Sequence, residues 1–394
     1  MGRPLAIAAL ILLLPFAAAS ADALAPTPQM GFNNWNSTAC RPEFDEEMIR
    51  GVADKMVASG LKDAGYDYVN IDDCWAEPDR DRDGNLVVNR TRFPHGLKQL
   101  GEYIHGKGMK FGIYTSAGTH TCQTREDGGF PGALGHERQD AALFASLGVD
   151  YLKYDNCNNQ KIDAKQRYAA MGEALRTTGR AFFYSLCEWG ENKPWLWAAN
   201  PDVGASSWRT TGDIADTFES MRKNYEENVI LDVYASPGHW NDPDLLEIGN
   251  GGMSDTEYRT QFSLWAIMAA PLLISTDLRK VGRQALEILG NREVIAIDQD
   301  PLGRQGKRVR KQEGIEVIVR PLTDGARAVA IFNTTDVAKT FVVAAPEIGM
   351  PRAGRYTLRD LWRHSESGSR GPIRGTLPAH ATALYRIAAV KAST

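Results

Sequence analysis

The sequence has no run of basic residues, and its formal net charge is −4. Nucleic acid and anionic membranes are therefore poor partners, and neutral substrates fit better. The seven histidines form no HExxH or related cluster, and no two of the five cysteines have metal-finger spacing. No metal centre is expected, and nothing calls for another cofactor. No glycine-rich phosphate turn follows an early apolar segment, which removes the main argument for an open dinucleotide-binding sheet. The chain lacks internal repeats and low-complexity segments. Past its first residues it has no apolar run long enough to span a bilayer. Oligomeric state has no signature here.

What is present begins with an address. Arg3 precedes an apolar run from about Leu5 to Ala19, closed by small residues at Ala19-Ser20-Ala21 and Ala21-Asp22-Ala23. That layout predicts a cleaved signal peptide over residues 1–23, cut after Ala21 or Ala23, and a secreted or periplasmic protein. A membrane anchor is the rival reading. The run is short for one, and the small-residue site follows it at once.

From about Met30 to Thr276, short apolar segments alternate with longer amphipathic ones. The strands expected are Met30–Asn33, Tyr68–Ile71, Phe111–Tyr114, Tyr151–Tyr154, Phe182–Leu186, Ala205–Trp208, one near His239–Trp240, and Leu272–Ser275. Helix patterns such as Glu46–Ser59 and Gln139–Leu147 lie between them. Eight β/α units in about 250 residues predict an α/β fold, a (β/α)8 TIM barrel over residues 24–303. A helix-like stretch, Ala285–Ile295, follows, and Asp300-Pro301-Leu302-Gly303 marks a boundary. Beyond it, Ile315–Arg320, Ala328–Phe332, Lys339–Val343, Tyr356–Asp360 and Ala383–Ile387 read as short strands with no long helix between them. Residues 304–394 are expected to form a small C-terminal antiparallel β domain.

A barrel enzyme carries its chemistry at the C-terminal ends of the strands. Acids recur there: Asp72-Asp73 after strand two, Asp155 ending strand four, Asp213 after strand six, Asp242-Pro-Asp244 after strand seven. A lone aspartate after a strand is as often a helix cap. Several at successive strand ends converge on one mouth. Two facing carboxylates suit glycoside cleavage, one attacking the anomeric carbon and the other protonating the leaving oxygen. Lys153 lies two residues before Asp155, on the same face of the strand, where its charge helps keep Asp155 ionised. Arg209 can anchor sugar hydroxyls or steady Asp213. Trp35, Trp75, Trp189 and Trp208 lie near these ends, and for Trp75 and Trp208 plain burial is the favoured role.

These segments resemble glycoside hydrolase family 27, the α-galactosidases and their relatives. The resemblance is carried by Met30-Gly-Phe-Asn-Asn-Trp35, Ile71-Asp-Asp-Cys-Trp75, Phe111-Gly-Ile-Tyr114, Asp150-Tyr-Leu-Lys-Tyr-Asp-Asn-Cys157, Tyr184-Ser-Leu-Cys-Glu-Trp-Gly190, Trp240-Asn-Asp-Pro-Asp244 and Val294-Ile-Ala-Ile-Asp-Gln-Asp-Pro-Leu-Gly303. It spans nearly the whole expected barrel, in order. It implies a (β/α)8 catalytic domain with a C-terminal β-sandwich, and a retaining exo-α-galactosidase acting on terminal α-galactosides. By the same resemblance Asp155 is the nucleophile and Asp213, four residues after Arg209, the acid/base. Asp72 and Asp73 would bind the galactose 4- and 6-hydroxyls, and Trp35 would be the stacking platform. Tyr114, Lys153 and Cys122 would line the pocket. Cys187 and Trp189 would fill the space beside the sugar's 2-position, against an N-acetyl group. The implied disulfides are Cys40–Cys74 and Cys122–Cys157, which leaves Cys187 free. Two departures stand out. Ser116 occupies a position where many relatives have an acid, and Phe32 one where tryptophan is common.

Two other readings compete. One is an enzyme of this fold acting on β-L-arabinopyranosides or α-N-acetylgalactosaminides. The other is a sugar-binding protein with a dead barrel, which the presence of both acids disfavours. Asn36, Asn89 and Asn333 open N-x-S/T sequons, which matter only in a eukaryotic secretory host.

Overall fold

A computed structural model of the chain describes residues 24–123, 129–350 and 354–390. The signal peptide expected at residues 1–23 lies outside them. The apolar segments fold as eight short strands: β1 (Met30–Asn33), β2 (Tyr68–Asn70), β3 (Lys110–Ser116), β4 (Tyr151–Asp155), β5 (Phe183–Cys187), β6 (Ser207–Arg209), β7 (Trp240–Asp242) and β8 (Leu272–Ile274). Each pairs in parallel with the next, and β1 also pairs with β8. A parallel bridge between Leu246, just past β7, and Ile274 on β8 completes the ring. The result is the TIM barrel the alternation predicts.

Strand periodicity then sorts side chains by height and side. On β4, Tyr151, Lys153 and Asp155 face the barrel interior at successive levels. Tyr151 belongs to the floor, stacked on Phe183 at 4.9 Å and edge-on to Tyr68 at 5.3 Å. The alternate residue Tyr154 packs outward on Tyr168 of the helix Ala164–Thr177, with ring centroids 5.4 Å apart. Gly112 on β3 is required by close approach, because a Cβ there would lie 1.9 Å from Asn70 Oδ1. Side-chain caps start several outer helices. Asp45, Asp163 and Thr217 each accept a backbone N–H at the first turn of Glu46–Ala58, Ala164–Thr177 and Phe218–Asn228, and Ser254 forms a capping box with Glu257.

The helix expected over Ala285–Ile295 is two helices, Arg283–Leu289 and Arg292–Asp298. The break falls at Gly290-Asn291, where the Asn291 side chain accepts from the N–H groups of Glu293 and Val294 and restarts the helix. A local cap thus overrides the continuous apolar pattern.

Eight further strands follow: β9 (Lys307–Gln312), β10 (Ile315–Pro321), β11 (Arg327–Asn333), β12 (Lys339–Val343), β13 (Tyr356–Asp360), β14 (Ser365–Ser369), β15 (Ile373–Leu377) and β16 (Thr382–Ala389). They form a six-stranded antiparallel sheet, ordered β14-β13-β16-β11-β10-β9, and a β12-β15 pair. Val317, Val329, Ile331, Phe341, Val343 and Ile373 fill the space between the two sheets. Sequence reading anticipates five of these strands and passes over β9, β14 and β15. The first two are the sheet's edges and offer almost no buried residue, so their strand character comes from the ladder beside them.

Candidate active site

At the C-terminal ends of the strands the acids meet. Asp72 follows β2 and is buried, and its Oδ2 accepts from Lys153 Nζ on β4 and from Asn33 Nδ2 on β1, both at 2.7 Å. Burial works against charge on Lys153, but Asp72, with smaller contributions from Cys187 and Asp155, outweighs it and holds the ammonium. The Lys153 ammonium also sits 5.2 Å from the centre of the Tyr114 ring. Its direct partner is therefore Asp72, and its help to Asp155 is through space. Asp73 accepts from Cys74 N–H at 2.7 Å and Gln123 N–H at 3.0 Å, yet burial pushes its carboxyl up to about 7. Trp35 opens the short helix after β1, half-buried, its backbone N–H on Asn33 Oδ1 at 2.8 Å.

Asp155 ends β4, 5% exposed, with Oδ1 accepting from Asn156 N–H at 2.9 Å. Its carboxylate lies within 4.8 Å of both sulfurs of the Cys122–Cys157 disulfide. That trio is not a metal site in this state, because sulfurs tied in a disulfide have no thiolate to offer. The second disulfide joins Cys40 to Cys74, next to Asp73. Ser116, the departure on β3, donates to Cys157 O at 3.0 Å and so braces the same rim.

Arg209 ends β6, buried, and reaches both sides of the mouth. Its Nη2 meets Asp213 Oδ1 at 2.9 Å and its Nη1 meets Asp244 Oδ1 at 2.8 Å. The same Nη1 lies 3.6 Å from the free, buried thiol of Cys187, and the guanidinium Nε has no hydrogen-bond partner among the described residues. Asp213 stands at the surface of this cluster, its side chain 65% exposed. Trp189 lies two residues past β5 in a turn with φ +57°, and no bond among the described residues ties its indole to the cluster. Trp75 and Trp208 are buried, donating to Tyr114 O and Asn241 Oδ1 at 2.8 Å each.

The resting electrostatics run opposite to the charges a nucleophile and an acid need. Burial lifts Asp155 to about 6, with Lys153 pulling it back and the Asp213 charge adding to the rise. Asp213, although its side chain is largely exposed, loses some hydration to the groups packed around it, and Arg209 and Lys153 outweigh that loss and hold its carboxyl below the usual range. The Asp213 charge thus reaches Asp155 across the mouth. Any group that displaced water from around Asp213 would favour its neutral form.

Sequence reading leaves several members of this site without a role. Asn33 orients Asp72, and Asn34 Oδ1 accepts the Asp72 N–H at 2.7 Å. Buried Glu188 accepts from Asn192 N–H at 2.9 Å and Asn192 Nδ2 at 2.7 Å, pinning the turn that carries Trp189. Asp244 grips Arg209. Their signal was position alone, polar residues beside strand ends.

A family model described as "Alpha galactosidase A" matches residues 27–300. A second, "Alpha galactosidase C-terminal beta sandwich domain", matches residues 312–387. An α-galactosidase of Oryza sativa subsp. japonica is 48% identical over 364 residues, covering 92% of this chain and 85% of that protein. Among solved structures, α-galactosidase I from Mortierella vinacea superposes with TM-score 0.88 at 36% identity, covering 93% of this chain and 98% of that one. The α-galactosidase from Saccharomyces cerevisiae with raffinose superposes with TM-score 0.86 at 30% identity, covering 95% and 100%. A relative nearly half identical across most of both chains and a barrel and sandwich each matched in turn lead to one conclusion: the chain belongs to glycoside hydrolase family 27, the melibiase or α-galactosidase family.

Proposed function

We propose that this protein is a retaining exo-α-galactosidase that removes terminal α-D-galactosyl residues from oligosaccharides, galactomannan side chains or glycoconjugates by double displacement. Asp155 attacks the anomeric carbon as the glycosidic bond breaks, and Asp213 gives its proton to the departing oxygen. Water then attacks the galactosyl–enzyme ester, Asp213 takes its proton, and Asp155 leaves as carboxylate. The observation that carries this reading is the pair itself. Asp155 at the end of β4 and Asp213 in the loop after β6 stand at the same end of the barrel, the charge of Asp213 reaching Asp155, with the Asp72–Lys153 ion pair beside them.

That ion pair supports galactose as the sugar. An axial 4-hydroxyl distinguishes galactose from glucose. A charged, buried acceptor rejects the epimer that leaves it unpaired. Asp73 serves the 6-hydroxyl, which β-L-arabinopyranosides lack. Cys187 and Trp189 occupy the side where an N-acetyl group would need room. Trp35 is the platform under the ring, and Tyr114 and the Cys122–Cys157 disulfide complete the wall. The catalytic unit is residues 24–303 and the accessory β domain residues 304–394. Two disulfides suit an oxidising, secreted or periplasmic setting. No described helix is long and apolar enough to cross a membrane.

Asp155→Asn and Asp213→Asn should each cut turnover of an unactivated α-galactoside by about a thousandfold or more, the scale of losing a nucleophile or acid. A panel of nitrophenyl glycosides fixes the sugar. Faster turnover of the β-L-arabinopyranoside or the α-N-acetylgalactosaminide than of the α-galactoside would overturn the assignment.

A further inference from the structure

The Trp240-Asn-Asp-Pro-Asp244 segment has no part in the mechanism above, yet its last residue is held in a costly shape. Asp244 has φ +87°, a conformation a non-glycine residue keeps only when its surroundings insist. Here they do. Its N–H donates to Asp242 Oδ1 at 2.8 Å, and its carbonyl accepts from Trp265 Nε1 at 2.8 Å. The result aims a 5%-exposed carboxylate at two targets. Oδ1 meets Arg209 Nη1 at 2.8 Å, and Oδ2 accepts the Ile214 N–H at 2.8 Å. Ile214 follows Asp213 directly.

We propose that Asp244 is a positioning residue for the acid/base. It takes up the charge of Arg209 and anchors the Asp213 loop, so that Arg209 orients Asp213 without holding it permanently ionised. The inference rests on the reading of Asp213 as the acid. Among the described residues, Arg209 is the guanidinium bonded to both carboxylates. With Asp244 present, one positive charge is divided between two negative ones, and the better buried pair takes the larger share. Without it, the whole of Arg209 falls on Asp213, and a carboxylate so paired gives up its proton too readily to serve as an acid. The other charged or titratable groups facing this cluster are Lys153 and Asp155 on β4, Cys187 on β5, Asp242 on β7, and Glu247 beyond it. Arg209 and Lys153 are the cations among them.

The test is Asp244→Asn, which can keep the bond to Ile214 N–H and loses the charge. Galactosides with good and poor leaving groups separate the roles, because a dinitrophenolate departs without protonation and a sugar alcohol does not. We expect kcat/KM for raffinose to fall about tenfold or more, and that for the dinitrophenyl galactoside to fall much less. The acid limb of the raffinose profile should move to lower pH. In an Asp213→Asn background the same change should add little, since a residue acting through Asp213 has nothing left to act on. Asp244→Ser, smaller and also uncharged, is the second variant, and circular dichroism checks that each folds. Equal losses on both substrates, or a full further loss in the Asp213→Asn background, would make Asp244 merely structural and overturn the proposal. A different result, no leaving-group dependence in Asp213→Asn itself, would instead sink the acid assignment.

Discussion

Asp155 is lifted to about 6 by burial, and Asp213 is held low by Arg209. Between those limits the pair carries one proton, mostly on Asp155. On the roles proposed for them, the productive form has Asp155 ionised and Asp213 protonated, a tautomer of that same state with the same pH range. kcat/KM should therefore peak on the acid side of 6 and fall toward tenfold per pH unit above it, as the pair loses its shared proton. A pH–rate profile checks this, and an alkaline limb above about 8 would contradict it. The same burial has a cost in stability. Asp155 binds its proton more tightly folded than unfolded, so its contribution is harmless below its ordinary value of 3.8 and becomes a penalty as pH rises through about 6. Asp155→Asn should then be more stable than the parent at pH 7.5, on the order of 2–3 kcal/mol, and close to it at pH 3.5. Thermal melts at the two pH values measure it. At this scale Asp155 was legible as the residue that ends β4, and Asp213 as an acid in the loop that follows β6. The partners that tune them were not. Asn33, Glu188 and Asp244 act through bonds to residues on other strands or beyond a turn, and one-dimensional spacing says nothing about such approaches.

The barrel strands read clearly because helices cover one side and the packed interior the other, which leaves continuous apolar runs. Their ends were off by a residue or two, where polar site residues join the ladder, as Asp155 and Cys187 do. Edge strands β9 and β14 escaped for the opposite reason: a strand that buries nothing needs no pattern. The break at Asn291 shows a single side chain deciding an element. Asn291 caps Arg292–Asp298 and also donates its Nδ2 to Leu361 O at 2.9 Å, across to the β domain. Asn291→Ala should cost about 1–2 kcal/mol from the cap, with more from the orphaned carbonyl. Urea unfolding reads this, and a change within about 0.5 kcal/mol, the spread of a neutral surface substitution, would count against it.

For the molecule as a whole, barrel and sandwich share a core. Phe262, Trp265 and Ala266 of the helix Asp255–Ile267 pack in one cluster with Ile318, Ala330, Phe332 and Leu384 of the β domain. Arg320, wholly buried, crosses the same boundary and donates to Ala266 O at 2.8 Å and Asp298 O at 3.1 Å. The two domains should therefore unfold together. Scanning calorimetry should show a single transition, and a chain ending at residue 303 should fail to stay folded because it exposes that face. Two resolved transitions would refute the coupling. Residue order alone determined the barrel, the sandwich after it and which acids sit at strand ends, since burial patterns and strand boundaries are local properties of the chain. The tertiary structure alone decided which carboxylate pairs with which cation: Lys153 with Asp72, and Arg209 shared between Asp213 and Asp244. Charge is governed by distance and burial, and both exist only once remote strands have closed into a ring.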